Sequence, residues 1–357
     1  MIVTAKEKRV HVWDPNPFNP YGTELARVIG GIPNVTATHY TRRNRPYGTD
    51  EARTVESLPA PAAGNHSHIH AITYMLAVFH FIAVCVIKRP IIVFPWIMNR
   101  WEILMTRFLQ LCRLPTVIVV HNPIKERDEL EQVKGLRAVR ESATALVVHT
   151  DRLRAGSSKL ALVAAHPSYK AWNLSLSHRQ SAGRPFRHLD LQPGLTAVFV
   201  GSIREDKGFF ELPSLADFLD SKGIRLLVCV GIYSPRDVAT LRTKTNVSIV
   251  GDGRSYLDDE VLHSALKKSN VMVAPYRNVT VSGSVLLAMT MGLPVVAFDC
   301  PEFSRILGKQ ALAPEGDMSM LADLALMAAQ EKTHKYNWAE NQDCISRHNW
   351  ASILANM

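Results

Sequence analysis

The sequence predicts an α/β chain folded as two parallel-sheet units. Its 357 residues are long for one domain and natural for two of roughly 150 residues each. Short β-branched runs alternate with longer helical stretches, the pattern of parallel sheets covered by helices. That rhythm lapses once, over Asn173–Gly194 (NLSLSHRQSAGRPFRHLDLQPG), where Ser, Arg, Gly and Pro gather as they do in a linker.

In the first half, strands are expected at Arg9–Trp13, Val35–Tyr40, Ile91–Phe94, Thr116–His121 and Leu146–His149, with a weaker one at Ala161–Ala165. Helices are expected at Thr23–Ile29, His70–Ile87, Asn99–Cys112 and Leu136–Ser142. After the linker come strands at Ala197–Gly201, Arg225–Val230, Val247–Val250, Val271–Pro275 and Pro294–Phe298. Helices there are Phe209–Ser221, Pro235–Thr243, Glu260–Lys268, Ser284–Met291 and Met318–Gln330, and Tyr336–Met357 reads as a last helix. Each half is thus Rossmann-like. The expected boundaries are 1–175 for an N-terminal acceptor domain, 176–194 for the linker and 195–335 for a C-terminal nucleotide-sugar domain. Residues 336–357 would form a helix packing back on the first domain. Ligands of open α/β sheets sit beyond the carboxyl ends of the strands, which directs attention to a cleft between the two units.

Composition narrows the class. The hydrophobic share is 47% with 20% charged residues, which excludes wholesale disorder. The five cysteines (Cys85, Cys112, Cys229, Cys300 and Cys344) are scattered without a CxxC pair, so neither a disulfide framework nor a zinc site is expected and a reducing cytoplasm fits. The net charge of +9 draws nucleic acid, anionic lipid or phosphorylated small molecules alike. No basic-aromatic stripe marks a nucleic-acid surface. The clusters Arg42, Arg43, Arg45 and Arg179, Arg184, Arg187 read equally as solvated surface. MIVTAKEKRV runs straight into the first strand, so no secretory leader is expected. Ala71–Ile87 (AITYMLAVFHFIAVCVI) is apolar but short of the ~20 residues of a bilayer span. With His80 in its middle, it is expected to be a buried core helix.

Two motifs carry chemistry. In Val198–Gly208 (VFVGSIREDKG) an apolar strand ends at Gly201, and Arg204 and Lys207 project from the loop before a helix. Arg can grip phosphate oxygens bidentately and Lys adds a point charge, so two cations there suit a diphosphate. In Val271–Asp299 (VMVAPYRNVTVSGSVLLAMTMGLPVVAFD) a strand ends in Pro275-Tyr276, and Ser282-Gly283-Ser284 opens an apolar helix. Its free N–H groups and dipole would receive an anion, although Ser-Gly-Ser is also an ordinary N-cap.

Together these motifs, with the SGxxLLA helix and GLPVVAxD, resemble the GT-B glycosyltransferases of the GT4-like group. More narrowly, the chain is similar to bacterial exopolysaccharide mannosyltransferases of the xanthan-pathway β-mannosyltransferase type. The resemblance covers most of residues 196–310 and is thinner in PNPFNPYG and VVHN of the first half. It implies two Rossmann-like domains facing each other across a cleft, and a hexosyl transfer from a nucleotide diphosphate sugar, with GDP-mannose the donor. It places Gly201, Ser202, Arg204, Lys207, Tyr276, Asn278, Ser282, Gly283 and Ser284 at the donor, with Tyr256 and Leu257 of GDGRSYLDDE beside the base. It also departs from the mainstream pattern. The two glutamates that flank the loop and helix start in that group would fall at Val279 and Leu287, and the Arg usual after the first glycine is Ser202. Sugar and ribose contacts therefore do not transfer.

In the first half, Asp14 ends a strand and could serve as the base of an inverting displacement, or cap a turn. His121 ends another strand, where the resemblance implies a histidine near the donor sugar; read alone, it is a satisfied core residue as readily. Asn19, Tyr21, Gly22, Asn122 and Glu126 are the acceptor candidates, and Glu126 and Asp128 are reserves for the base. No Asp-x-Asp occurs, so no metal and no cofactor are expected, the protein's cations neutralising the leaving diphosphate. Asn99–Cys112 (NRWEILMTRFLQLC) carries an apolar stripe with Arg100 and Arg107, which packs on the sheet or lies on a membrane surface. The expectation is a cytoplasmic transferase, peripheral on the inner membrane face if the acceptor is lipid-linked. A nucleotide-sugar sensor, or a phosphorylase or epimerase of the same fold, are the rivals.

Overall fold

The computed structural model describes residues 7–45, 47–60, 67–121, 130–155, 161–182, 189, 193–279, 281–331 and 337–357. The chain forms two compact units, Met1–Ser175 with Glu340–Met357, and Leu176–Ala339.

Unit 1 runs β1 (Lys8–Trp13), α1 (Tyr21–Gly30), β2 (Val35–Arg42), β3 (Arg53–Leu58), α2 (Ser67–Lys88), β4 (Ile91–Phe94), α3 (Arg100–Leu111), β5 (Thr116–Val119), α4 (Leu130–Ser142), β6 (Ala145–Val148), α5 (Asp151–Ala155), β7 (Ala161–Val163) and the start of α6 (Lys170–Ser181), which continues past Ser175 into unit 2. Its strands make a parallel sheet in the order β3-β2-β1-β4-β5-β6-β7. Side chains alternate across the sheet with the period of a strand. Ile92 and Phe94 of β4 enter one apolar core with Trp13 and Phe81, while Ile91 and Val93 enter another with Val10, Val12 and Leu25. Helices α2, α3 and α4 cover the first face, and α1 covers the second.

Unit 2 runs β8 (Leu195–Val200), α7 (Leu212–Asp220), β9 (Ile224–Cys229), α8 (Ala239–Arg242), β10 (Val247–Val250), α9 (Asp259–Lys268), β11 (Val271–Ala274), α10 (Gly283–Thr290), β12 (Val295–Phe298), α11 (Pro301–Ile306), β13 (Leu312–Ala313) and α12 (Met318–Gln330). Its sheet is parallel in the order β10-β9-β8-β11-β12-β13. Both sheets reverse their winding once, between β1 and β4 and between β8 and β11. Those are the topological switch points at which ligands of such sheets bind.

The last helix, α13 (Trp338–Ala355), belongs to unit 1 from Glu340 onward. Trp350 is fully buried against Val10 and Leu25. Asp343 accepts from the Ser168 backbone N–H at 2.9 Å and pairs with Arg27 at 2.6 Å. Arg27 also grips Glu24 at 2.8 Å, and all three charges are closed from solvent. Breaking a buried pair by removing one partner costs about 3–5 kcal/mol, so this knot fastens α13 to α1.

Three features depart from the expectations. Helix α6 begins at Lys170 and runs to Ser181, into the stretch that looked like linker. Strand β3 has no apolar run because it is an edge strand with alternating exposure. Helix α2 is not a buried core helix. Tyr74, Ala77, Val78, Phe81 and Cys85 are buried, but Ile69, Ile72, Leu76, Phe79 and Ile87 are exposed.

Candidate functional site

At the switch point of unit 2, the chain leaves β8 through Gly201 and a single 3₁₀ turn over Glu205–Lys207. Gly208 closes this turn in the left-handed region at φ 64°, and a Cβ there would lie 2.0 Å from the Pro275 carbonyl oxygen. Only glycine meets both conditions, and the contact draws the Lys207 loop against the end of β11. The Lys207 Nζ consequently lies 4.2 Å from the centre of the Tyr276 ring, a cation–π contact. Burial pulls the Lys207 pKa down to about 8, Asp206 opposing the shift.

Tyr276 is fully buried. Its hydroxyl donates to the Val200 carbonyl at 2.7 Å and lies 3.1 Å from Ser284 Oγ, which is 3.0 Å from Ser282 Oγ. Ser282 is the extended N-cap of α10, and its hydroxyl accepts from the Val285 N–H. The structure therefore brings Gly201, Lys207, Tyr276, Ser282, Gly283 and Ser284 together. An ammonium, a helix N-terminus and two serine hydroxyls converge there. The first residues of α10 offer N–H donors that have no partner within the helix. Such a nook suits a polyanion, with Lys207 as counter-charge.

The other expected donor residues stand in loops along the same carboxyl edge of the sheet. Ser202 is exposed. Arg204 is exposed too, and its guanidinium is taken by Asp206, Nε to Oδ1 at 2.8 Å. Asn278 stands in the exposed loop after β11. Tyr256 and Leu257 follow β10, two strands from β8. There Gly251–Ser255 forms a tight loop in which Asp252 accepts from the backbone N–H groups of Arg254 and Ser255 at 2.8 and 2.9 Å. Tyr256, 63% exposed, stands on the same carboxyl edge of the sheet.

In unit 1, Asp14 leaves β1 at the other switch point. It is fully buried, its Oδ2 2.6 Å from Arg45 Nη1 and 3.3 Å from His39 Nε2. Arg45 also donates to Thr23 Oγ1 at 2.8 Å and to the Asn19 carbonyl at 3.2 Å. Although burial raises a carboxyl pKa, Arg45 and His39 outweigh it and hold Asp14 below its usual value. A Cβ on Gly22 would stand 2.2 Å from the Asp14 carboxylate, so glycine there makes room for it. A closed, paired carboxylate of lowered pKa is a poor general base. In this setting the contacts of Asp14 fix the Pro15–Pro20 loop, the turn role weighed for it beside that of base. Asn19 caps that loop, accepting from the Tyr21 N–H at 2.9 Å.

Tyr21 is likewise no surface ligand. It is fully buried, with its hydroxyl 2.9 Å from His149 Nε2. Since His149 Nδ1 lies 2.8 Å from the Ala164 carbonyl, which can only accept, Nδ1 carries the proton and Tyr21 donates to Nε2. His121 stacks on Trp96 at 4.0 Å and meets the edge of Tyr21 at 4.6 Å. Its Nε2–H donates to the Pro95 carbonyl at 3.0 Å, and burial lowers its pKa to about 3. A histidine so neutral accepts hydrogen bonds through Nδ1 rather than protons. Asn122 and Glu126, with Asp128, lie outside the described residues.

Sequence reasoning missed Arg45, His39 and Trp96. Arg45 had been visible only within a cluster that reads as solvated surface, and Trp96 follows a strand end without a motif.

These two sheets, wound about β1/β4 and β8/β11, recur in solved glycosyltransferases. Sucrose-phosphate synthase from Thermosynechococcus elongatus superposes with a TM-score of 0.59 at 16% identity, covering 97% of this chain and 94% of that one. HepE from Anabaena, in complex with UDP and glucose, gives 0.58 at 12% identity over 98% and 100%. WaaG, a glycosyltransferase involved in lipopolysaccharide biosynthesis, gives 0.53 at 16% over 97% and 99%.

The fold is GT-B.

Within this GT-B chain, residues 194–330 match the family model described as Glycosyl transferases group 1. The match spans the Lys207 turn, Tyr276 and the start of α10. The match lies within unit 2 and covers less than half of the chain. No curated protein matches the chain in sequence.

Proposed function

We propose that this protein transfers a sugar from a nucleoside diphosphate sugar to a saccharide hydroxyl. The observation that carries the reading is the convergence of Lys207, Tyr276, Ser282 and Ser284 at the switch point of unit 2. The bond from the sugar's anomeric carbon to the diphosphate oxygen breaks, a bond to the acceptor oxygen forms, and the acceptor hydroxyl's proton passes to the leaving diphosphate or to solvent. Negative charge grows on the leaving diphosphate, where a cation and a helix N-terminus stabilise it most. These groups supply without a metal the neutralisation that the reaction needs. Tyr256, exposed on the same edge, would stack on the nucleobase.

GDP-mannose is the donor proposed, on the sequence resemblance. A uridine nucleotide is the alternative worth testing, because HepE was solved with UDP and glucose. The transferred unit is a hexose and the acceptor a saccharide, lipid-linked if the protein works at the inner membrane surface. His121 Nδ1 would accept a hydrogen bond from a sugar hydroxyl.

The test is donor turnover. Purified protein incubated with GDP-mannose, UDP-glucose and other nucleotide sugars should release nucleoside diphosphate slowly by hydrolysis, and faster when a saccharide acceptor is added. Tight binding with no release from any donor would instead indicate a sensor.

A further inference from the structure

Unit 1 carries an exposed apolar face that glycosyl transfer does not use. On α2, Ile69, Ile72, Leu76, Phe79 and Ile87 are 59–80% exposed. At 3.6 residues per turn they fall in one stripe of roughly 100°. On α3, Trp101, Leu104, Phe108 and Leu111 repeat at helical spacing and are 38–81% exposed. The two helices are neighbours. The α3 N-cap Asn99 donates to the Tyr74 hydroxyl at 3.2 Å, Tyr74 bonds Glu102, and both helices bury their inner sides in the same core. The stripes therefore lie on one side of the sheet. Monomeric proteins seldom expose so large an apolar patch without a use for it.

Charge says what the patch faces. Between residues 67 and 113 Glu102 is the one acidic side chain, and it is fully buried. Lys88, Arg89, Arg100, Arg107 and Arg113 in the same stretch are all exposed. Arg100 and Arg107, two turns apart, run along one flank of the α3 stripe. A face that is apolar at its centre, cationic at its rim and free of carboxylate complements an anionic bilayer. It does not complement itself, because a second copy would bring arginine against arginine.

The α2 segment His68–Lys88 is long and apolar enough to cross a membrane, with a mean hydropathy of 2.0. Its other side, however, sets Phe81 and Cys85 wholly inside the unit 1 core. Spanning would strip that core open, whereas lying in the interface leaves it intact.

We propose that the α2–α3 face docks unit 1 on an anionic lipid bilayer as a monotopic surface, its apolar stripes in the acyl boundary and its arginines at the headgroups. The reading is independent of the donor assignment. The test is co-sedimentation of the full chain with vesicles of phosphatidylcholine alone or mixed 7:3 with phosphatidylglycerol. Binding is expected to the mixed vesicles, weakened by 0.5 M NaCl. Arg100→Glu with Arg107→Glu should weaken it at least about thirtyfold, since each surface Arg contributes about 1 kcal/mol. Phe79→Ser with Phe108→Ser should abolish it. All four side chains are exposed, so the melting temperature and oligomeric state of both variants should match the parent's. Absence of vesicle binding, or equal binding by parent and variants, would overturn the proposal. So would a parent dimer that the serine variant dissociates without any binding to vesicles.

Discussion

Lys207→Ala should weaken nucleoside diphosphate binding by about 1.5–3 kcal/mol, the range for a hydrogen bond to a charged group, or roughly 10- to 150-fold in Kd. The lost group is the ammonium held 4.2 Å above Tyr276. The ring should keep its place without it, because the Tyr276 hydroxyl is bonded to Val200 and Ser284. The parent's affinity should also depend on pH in a defined direction. Burial lowers the Lys207 pKa to about 8, so roughly nine-tenths of the free protein carries the charge at pH 7 and about one-tenth at pH 9. Diphosphate affinity should therefore fall as pH rises through 8, by up to about tenfold per unit, and the alanine variant should lose that slope. Stability runs the other way. A lysine whose folded pKa lies below the unfolded 10.5 opposes folding while charged, so the unliganded variant should melt no lower than the parent. Calorimetric titration with UDP, GDP and the bare nucleosides at pH 7 and 9 reads all of this. An unchanged diphosphate Kd, or an equal loss for the nucleosides, would refute the placement of the phosphates.

Other outcomes follow from the same geometry. Asp14→Asn should lower the melting temperature by leaving Arg45 buried and unpaired, and its turnover loss should be no greater than that of Arg45→Met; normal stability with a turnover loss above about 10²-fold would restore Asp14 as the base. Arg27→Met should cost about 3–5 kcal/mol in urea denaturation by stranding Glu24 and Asp343, and a loss under 1 kcal/mol would show that α13 is held otherwise. Acid should destabilise the fold, because His149 is buried with its pKa lowered from 6.5 to about 4. The stability this contributes is complete above pH 6.5 and is lost as pH falls toward 4, about 1.5 kcal/mol of it by pH 5; a flat urea midpoint from pH 7 to 5 would contradict this. Turnover, once an acceptor is found, should survive EDTA, and loss restored by Mg²⁺ would mean that Lys207 and α10 do not suffice.

Much of the candidate site of unit 2 was legible in the sequence because its parts are local. A strand end, a glycine and a cation within one turn, followed by a Pro-Tyr strand end and Ser-Gly-Ser, fix their own geometry, and parallel strands bring them to one edge. What the sequence does not show is that the Arg204 guanidinium pairs with Asp206, two residues on. The acceptor side was less legible because its contacts are tertiary. Nothing near Asp14 in the chain announces Arg45 or His39, and Arg45 looked like one of three surface arginines. The apolar run of α2 showed that a helix exists, but a helix apolar all round does not reveal which side faces solvent. Helix α6 was missed because KAWNLSLSHRQS carries scarcely any amphipathic period and is rich in serine.

The proposed seat of the donor diphosphate is the switch point of unit 2. A crystal structure of the protein soaked with UDP or GDP tests it most directly. Diphosphate oxygens are expected within hydrogen-bond reach of Lys207 Nζ and of the N–H groups that open α10, with the base beside Tyr256. A nucleotide bound anywhere else, at the β1/β4 edge of unit 1 for instance, would contradict it.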